Sequence, residues 1–209
     1  MTLGGEGIRV PHLSYDSIGE FAEAFLAKHN PSRAIPVPIE EIIDVQLHID
    51  IVPVPGLTAV FSEEEDDGVE SFVNSSLDQI FVDRRAYDRQ TNRYRFSIAH
   101  ELGHILLHKE AFSRLKADSI AEWKKTIRSI PAEEYAWLEW QAYSFAGHVL
   151  VPTRELSDNL HNLIDRVKEE NFDPTEDAVR LFLEKRLADV FSVSSDVIHR
   201  RIDKQGLWR

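Results

Sequence analysis

The 209-residue chain has no cysteine, and its single methionine is residue 1. The missing cysteine excludes disulfides and thiolate metal ligands together, so any metal must be held by imidazole and carboxylate. No window approaches the roughly 18 apolar residues that a membrane span requires. The opening "MTLGGEGIRVPHLSYDS" has neither the basic start nor the apolar stretch of a secretory leader, so a cytoplasmic address is expected. Positive charge is scarce: 24 Lys and Arg against 36 Asp and Glu give a formal net charge of −12. Such a chain lacks the basic footprint of a general nucleic-acid binder, and direct DNA binding is disfavoured. The deficit is uneven, because residues 154–209 carry 10 basic and 12 acidic side chains.

What is present reads as one α+β unit with a helical C-terminal module. "SYDSIGEFAEAFLAKH" spaces Ile18, Phe21, Ala22, Phe25 and Leu26 as an amphipathic helix. Pro38 can start a short helix, and "LHIDIVPVPG" alternates like a strand before its proline and glycine. "SEEEDDG" (62–68) predicts a solvated turn. "VESFVNSSLDQIFVD" predicts two strands around a turn at Asn74–Ser76. From about Thr91 the pattern becomes helical; a connector follows, and Pro131 opens a second long helix that stops at Val151–Pro152. Further helices fill 153–209, so the boundary expected between main domain and C-terminal module lies at 152/153. The sheet is small and the core mostly helical.

"RFSIAHELGHILLH" places four polar groups, three histidines and a glutamate, in an otherwise apolar helix. His100 and His104, four residues apart, lie about 40° apart on one helical face. Two imidazoles so placed can converge on one ion about 2 Å from each. Glu101 lies about 100° round from His100, where it can take a proton from water rather than bind metal. Ile98, Leu102 and Ile105 hold the opposite, core-facing side. His108 lies about 12 Å along the axis from His100, too far to share its ion, and is placed to cap the helix end. Gly103, mid-helix, points either to close approach of another element or to a neutral oddity.

A third protein ligand is required. A histidine six residues after His104, with glycine three after it, would mark a metzincin; Glu110 and Leu107 stand there instead. A carboxylate from a later helix remains. On "PAEEYAWLEWQAYSFAGHVL" the apolar stripe is Tyr135, Leu138, Ala142, Phe145, Ala146 and Val149. Glu139 and Glu134 lie at its two edges, and periodicity alone leaves both open. Zinc suits such a His₂-carboxylate site, with manganese and iron as alternatives.

Together, "RFSIAHELGHILLH" and "EWQAYSFAGHVLVP" resemble the ImmA/IrrE family of metallopeptidases. The likeness covers roughly residues 20–207. It implies a zincin-like core, His100, His104 and Glu139 as metal ligands, and Glu101 as the catalytic glutamate. It further implies a protein substrate, a helix-turn-helix repressor cut to derepress stress or mobile-element genes. Tyr143 and His148 depart from the usual pattern; both are candidate oxyanion partners. The ending "LADVFSVSSDVIHRRIDKQGLW" also resembles the family and has a helix-turn-helix outline turning at Phe191–Ser194. A substrate strand could add to an exposed sheet edge such as that of "QIFVD". The competing expectation is a non-enzymatic, metal-stabilised regulator or toxin–antitoxin partner, against which an intact Glu101 argues.

Overall fold

A computed structural model describes residues 10–58, 70–113 and 129–208. The acidic stretch 62–68, most of the connector after Ser113, and Arg209 lie outside the described residues.

Helix α1 (Tyr15–His29) starts where the Ser14 hydroxyl accepts from the Ser17 amide at 3.1 Å. Ile18, Ala22, Phe25 and Leu26 are buried, whereas Phe21 on the same stripe stays 43% exposed. Pro38 precedes α2 (Ile39–Glu41), which runs into a π-helical turn over Ile42–Gln46. Ile39, Ile42 and Ile43 are fully buried there.

Strands β1 (Asp50–Val54), β2 (Ser71–Val73) and β3 (Gln79–Asp83) form a mixed sheet in the order β1-β3-β2. The β2–β3 hairpin is antiparallel, with Phe72 opposite Phe81, and β1 joins in parallel, with Ile51 opposite Ile80. Within the turn, the Asn74 carboxamide oxygen accepts from the amides of Asp78 and Gln79, both at 3.1 Å. "QIFVD" is therefore the central strand and not an edge. Its inward residues Ile80 and Val82 are wholly buried, as expected of a strand paired on both sides. Among the described strands the edges are β1 and β2.

Asp83 ends β3 and caps α3 (Arg84–Arg89), accepting from the Arg85 amide at 2.8 Å. Two long helices follow, α4 (Thr91–Leu107) and, beyond the short α5 (Lys109–Ser113), α6 (Ala132–Leu150). The α4–α6 pair makes the most extensive helix packing among the described residues, and α1 packs on α6 as well. Gly103 explains the closeness: a Cβ there would stand 3.0 Å from Ala142 Cα and 3.1 Å from Ala142 O. Of the two readings of this glycine, the structure supports close approach.

After Pro152 come α7 (Thr153–Glu169), α8 (Asp177–Phe191) and α9 (Ser195–Gln205). The α8–α9 turn passes through Ser192 in the left-handed region, φ 52°. Arg95 donates to Ser192 O and, at 2.8 Å, to Val37 O, while Asn92 donates to Val193 O. These bonds tie the turn to the start of α4. One apolar core runs through all layers, from Ile18 and Ile80 through Phe145 to Leu187, Phe191 and Ile202. No helix among the described residues is long and apolar enough to cross a membrane.

Candidate metal centre

The first turns of α4 are tied to the α8–α9 turn through Asn92 and Arg95; the next two turns carry the polar cluster. His100 Nε2 and His104 Nε2 lie 3.0 Å apart. Glu139, halfway along α6, brings its carboxylate oxygens to 3.1 Å from His100 Nε2 and 3.4 Å from His104 Nε2. A tetrahedral ion with bonds near 2.0–2.1 Å has ligand atoms about 3.3–3.4 Å apart. The three donors already stand at nearly that spacing, so they fit a zinc-sized cation. Glu134 serves elsewhere, accepting from the Val10 amide at 3.1 Å.

Electrostatics agree with the geometry. Burial opposes ionisation of Glu139, but hydrogen bonds and charge from His100 and His104 prevail and hold its carboxyl well below the usual range. Burial likewise opposes charging of His100, and the Glu139 carboxylate outweighs it, so its pKa is raised. The carboxylate is thus kept ionised, as a ligand must be.

A hydrogen-bonded chain behind the cluster sets which nitrogen of His104 is free. Gln141, fully buried, donates from Nε2 to the Pro11 carbonyl at 2.7 Å, which turns its Oε1 toward His108 Nε2 at 3.2 Å. An amide oxygen only accepts, so His108 carries its proton on Nε2. Burial, then the neighbouring His104, pushes the His108 pKa down to about 3. His108 is therefore neutral and its Nδ1 accepts from His104 Nδ1 at 3.1 Å. A bound cation would replace the proton that His104 shares with Glu139; with its other proton committed to His108, the ring would then present an Nε2 lone pair to the ion, as metal binding requires. His108 does stand at the helix end, with its amide bonded to His104 O. Its side chain, however, turns inward as a link in this chain instead of capping carbonyls.

Glu101 is 5% exposed and accepts from the Ser71 hydroxyl at 2.7 Å through one oxygen, and its other oxygen makes no hydrogen bond among the described residues. Tyr143, one turn beyond Glu139, stacks obliquely on Phe96 at 4.8 Å between centroids and lines a groove of about 1060 Å³ with Phe96 and Ser97. His148 is not brought near the cluster. It packs against Tyr15 at 4.5 Å and against Arg201. Sequence reasoning missed Gln141 and Ser71. Gln141 interrupts the apolar stripe three residues after Leu138 and four before Phe145, a usable signal. Ser71 left none, being 30 residues from its partner.

A family model described as the IrrE N-terminal-like domain, of the M78 peptidases, matches residues 72–203, more than half of the chain. The chain belongs to the IrrE N-terminal-like family. The matched span contains every residue of the cluster and the whole of the α4–α6 pair. Among solved structures, a Mycobacterium tuberculosis transcriptional regulator matches with a TM-score of 0.53 at 13% identity. The alignment covers 90% of this chain and 46% of that one, so this chain spans about half its length and shares its fold. No curated protein matches.

Proposed function

We propose that this IrrE-like chain is a zinc-dependent peptidase that cuts a helix-turn-helix repressor, with His100, His104 and Glu139 as ligands and Glu101 as general base. The observation that carries the reading is the spacing of the three donor atoms beside a buried glutamate that pairs with no basic side chain among the described residues. A bound divalent ion would supply Lewis acidity and lower the pKa of a water toward about 7. The residues supply the rest. Ser71 holds one Glu101 oxygen, so the other is aimed to take the proton of the attacking water and pass it to the departing amine. His108 and Gln141 keep the His104 lone pair directed at the cluster. The substrate backbone would pair with the outer edge of β2, whose first residue is Ser71 and which no described strand covers. The apolar walls of Phe96 and Tyr143 flank the approach.

The test has two parts. Elemental analysis after dialysis should find about one zinc per wild-type chain and loss of it in Glu139→Ala; equal loading would refute the ligand set. A quenched-fluorescent peptide library and purified helix-turn-helix repressors from the same organism should be cut by wild type. The metal-loaded Glu101→Gln variant should be inert, and retained hydrolysis would remove Glu101 from the role of base.

A further inference from the structure

A second pocket, of about 220 Å³, opens between α6, α9 and the start of α1, one to two turns beyond Glu139. Its lining is cationic in a chain of net charge −12: Arg200, Arg201 and Lys204 face it against Asp203 alone. Asp203 stands 3.8 Å from His199 on its own helix. None of the three cations has an ion pair among the described residues.

Arg201 is the strongest sign. It is 3% exposed, and its guanidinium donates to Val151 O, Thr153 Oγ1, the Tyr15 hydroxyl and His148 Nε2. All four acceptors are neutral, and a buried cation without a counter-charge is costly. At the mouth, Arg200 lies over the Tyr143 ring at 5.1 Å and Lys204 over Tyr15 at 5.9 Å. Aromatic faces position these cations without neutralising them.

Tyr143 and Val197 line both this pocket and the groove that reaches Ser97, one turn before His100. Along α6, Glu139 to Gly147 is about 12 Å. An extended chain advances about 3.3 Å per residue, so the pocket lies roughly two to four residues from a bond held at the cluster.

We infer that the Arg200–Lys204 pocket binds an acidic side chain of the polypeptide cut at the metal centre, making an Asp or Glu a few residues from the scissile bond a recognition element. The inference rests on the peptidase reading for the word "cut", but the pocket's preference for carboxylate stands apart from it.

The test uses the full chain and reads the Trp140 indole ¹H–¹⁵N resonance, assigned with Trp140→Phe. N-acetyl-glutamate N-methylamide should shift it saturably, at least tenfold more tightly than the uncharged glutamine analogue, and the difference should shrink with salt. In Arg200→Glu/Lys204→Glu, with melting unchanged, the preference should invert toward N-acetyl-lysine N-methylamide. Identical titrations by the glutamate and glutamine probes, or a glutamate preference that survives charge reversal, would overturn the inference. Tighter binding of inorganic phosphate than of the glutamate probe would overturn it too, by marking a phosphoryl site. Glutamate preference without any hydrolysis refutes the peptidase reading alone; hydrolysis with uniform titrations refutes the pocket alone.

Discussion

Replacing Gly103 by alanine sets two known effects against each other. In an open helix the change gains about 1 kcal/mol of propensity. Here the new Cβ would meet Ala142 Cα at 3.0 Å, Ala142 O at 3.1 Å and Phe145 Cδ1 at 3.2 Å. Two of these are backbone atoms inside a 19-residue helix, which cannot swing aside as a side-chain tip can. Overpacking of this kind typically costs about 1–3 kcal/mol. With the contact on backbone the upper half applies, and the net expectation is a loss of about 1–2 kcal/mol. Relief requires α6 to withdraw from α4 by a few tenths of an ångström, across the same gap that separates Glu139 from the two histidines. Gly103→Ala should therefore unfold at lower urea in chelator-containing buffer and also bind zinc more weakly in chelator competition. Gly147→Ala is the control, since its Cβ would meet only the Arg201 side chain, at 3.4 Å. A Gly103→Ala protein stabilised by about 1 kcal/mol, with zinc affinity intact, would refute the argument.

Gln141→Leu removes the acceptor of the His108 proton; zinc affinity should fall about 10–100-fold by chelator competition, and an unchanged affinity would break the proposed chain behind His104. Ser71→Ala removes the hydrogen bond that holds one Glu101 oxygen, so hydrolysis should slow while zinc stoichiometry by elemental analysis stays at one. Asp83 is pushed up by burial, but hydrogen bonds from Thr58, Arg85 and Ala86 outweigh this and lower its pKa. A lowered carboxyl stabilises above its unfolded pKa, about 3.9, and loses that contribution as pH falls through the folded value. Asp83→Asn should thus lose about 1–3 kcal/mol at pH 7, and the difference from wild type should shrink as pH falls below the unfolded pKa, as read from urea midpoints.

The helical face of His100, Glu101 and His104 was legible in the sequence because helix period alone decides which side chains share it. So were the ends of α4 and α6, set by Thr91 and by Pro131 and Pro152. Which glutamate joins the two histidines was not legible from periodicity, since Glu134 and Glu139 flank one stripe and only the position of Val10 occupies the former. The central place of "QIFVD", expected as an exposed edge, was hidden for the same reason: alternation reveals a strand but not its neighbours, and β1 arrives from 29 residues earlier. His108 was placed correctly along the chain and wrongly in direction, because the inward pull of Gln141 depends on how α6 packs.

The single core that joins Phe145 to Leu187, Phe191 and Ile202, with Arg201 bonded to Val151 and Thr153 at the corner between α6 and α7, bears on how such a chain can be inherited. Lineages readily trade segments whose junctions are wet and few. A splice near position 152 would instead expose a greasy wall and strand a guanidinium in the breach. The C-terminal helices are therefore expected to travel with the HELGH helix as one heritable block, and a shuffled gene should show its seams outside that block.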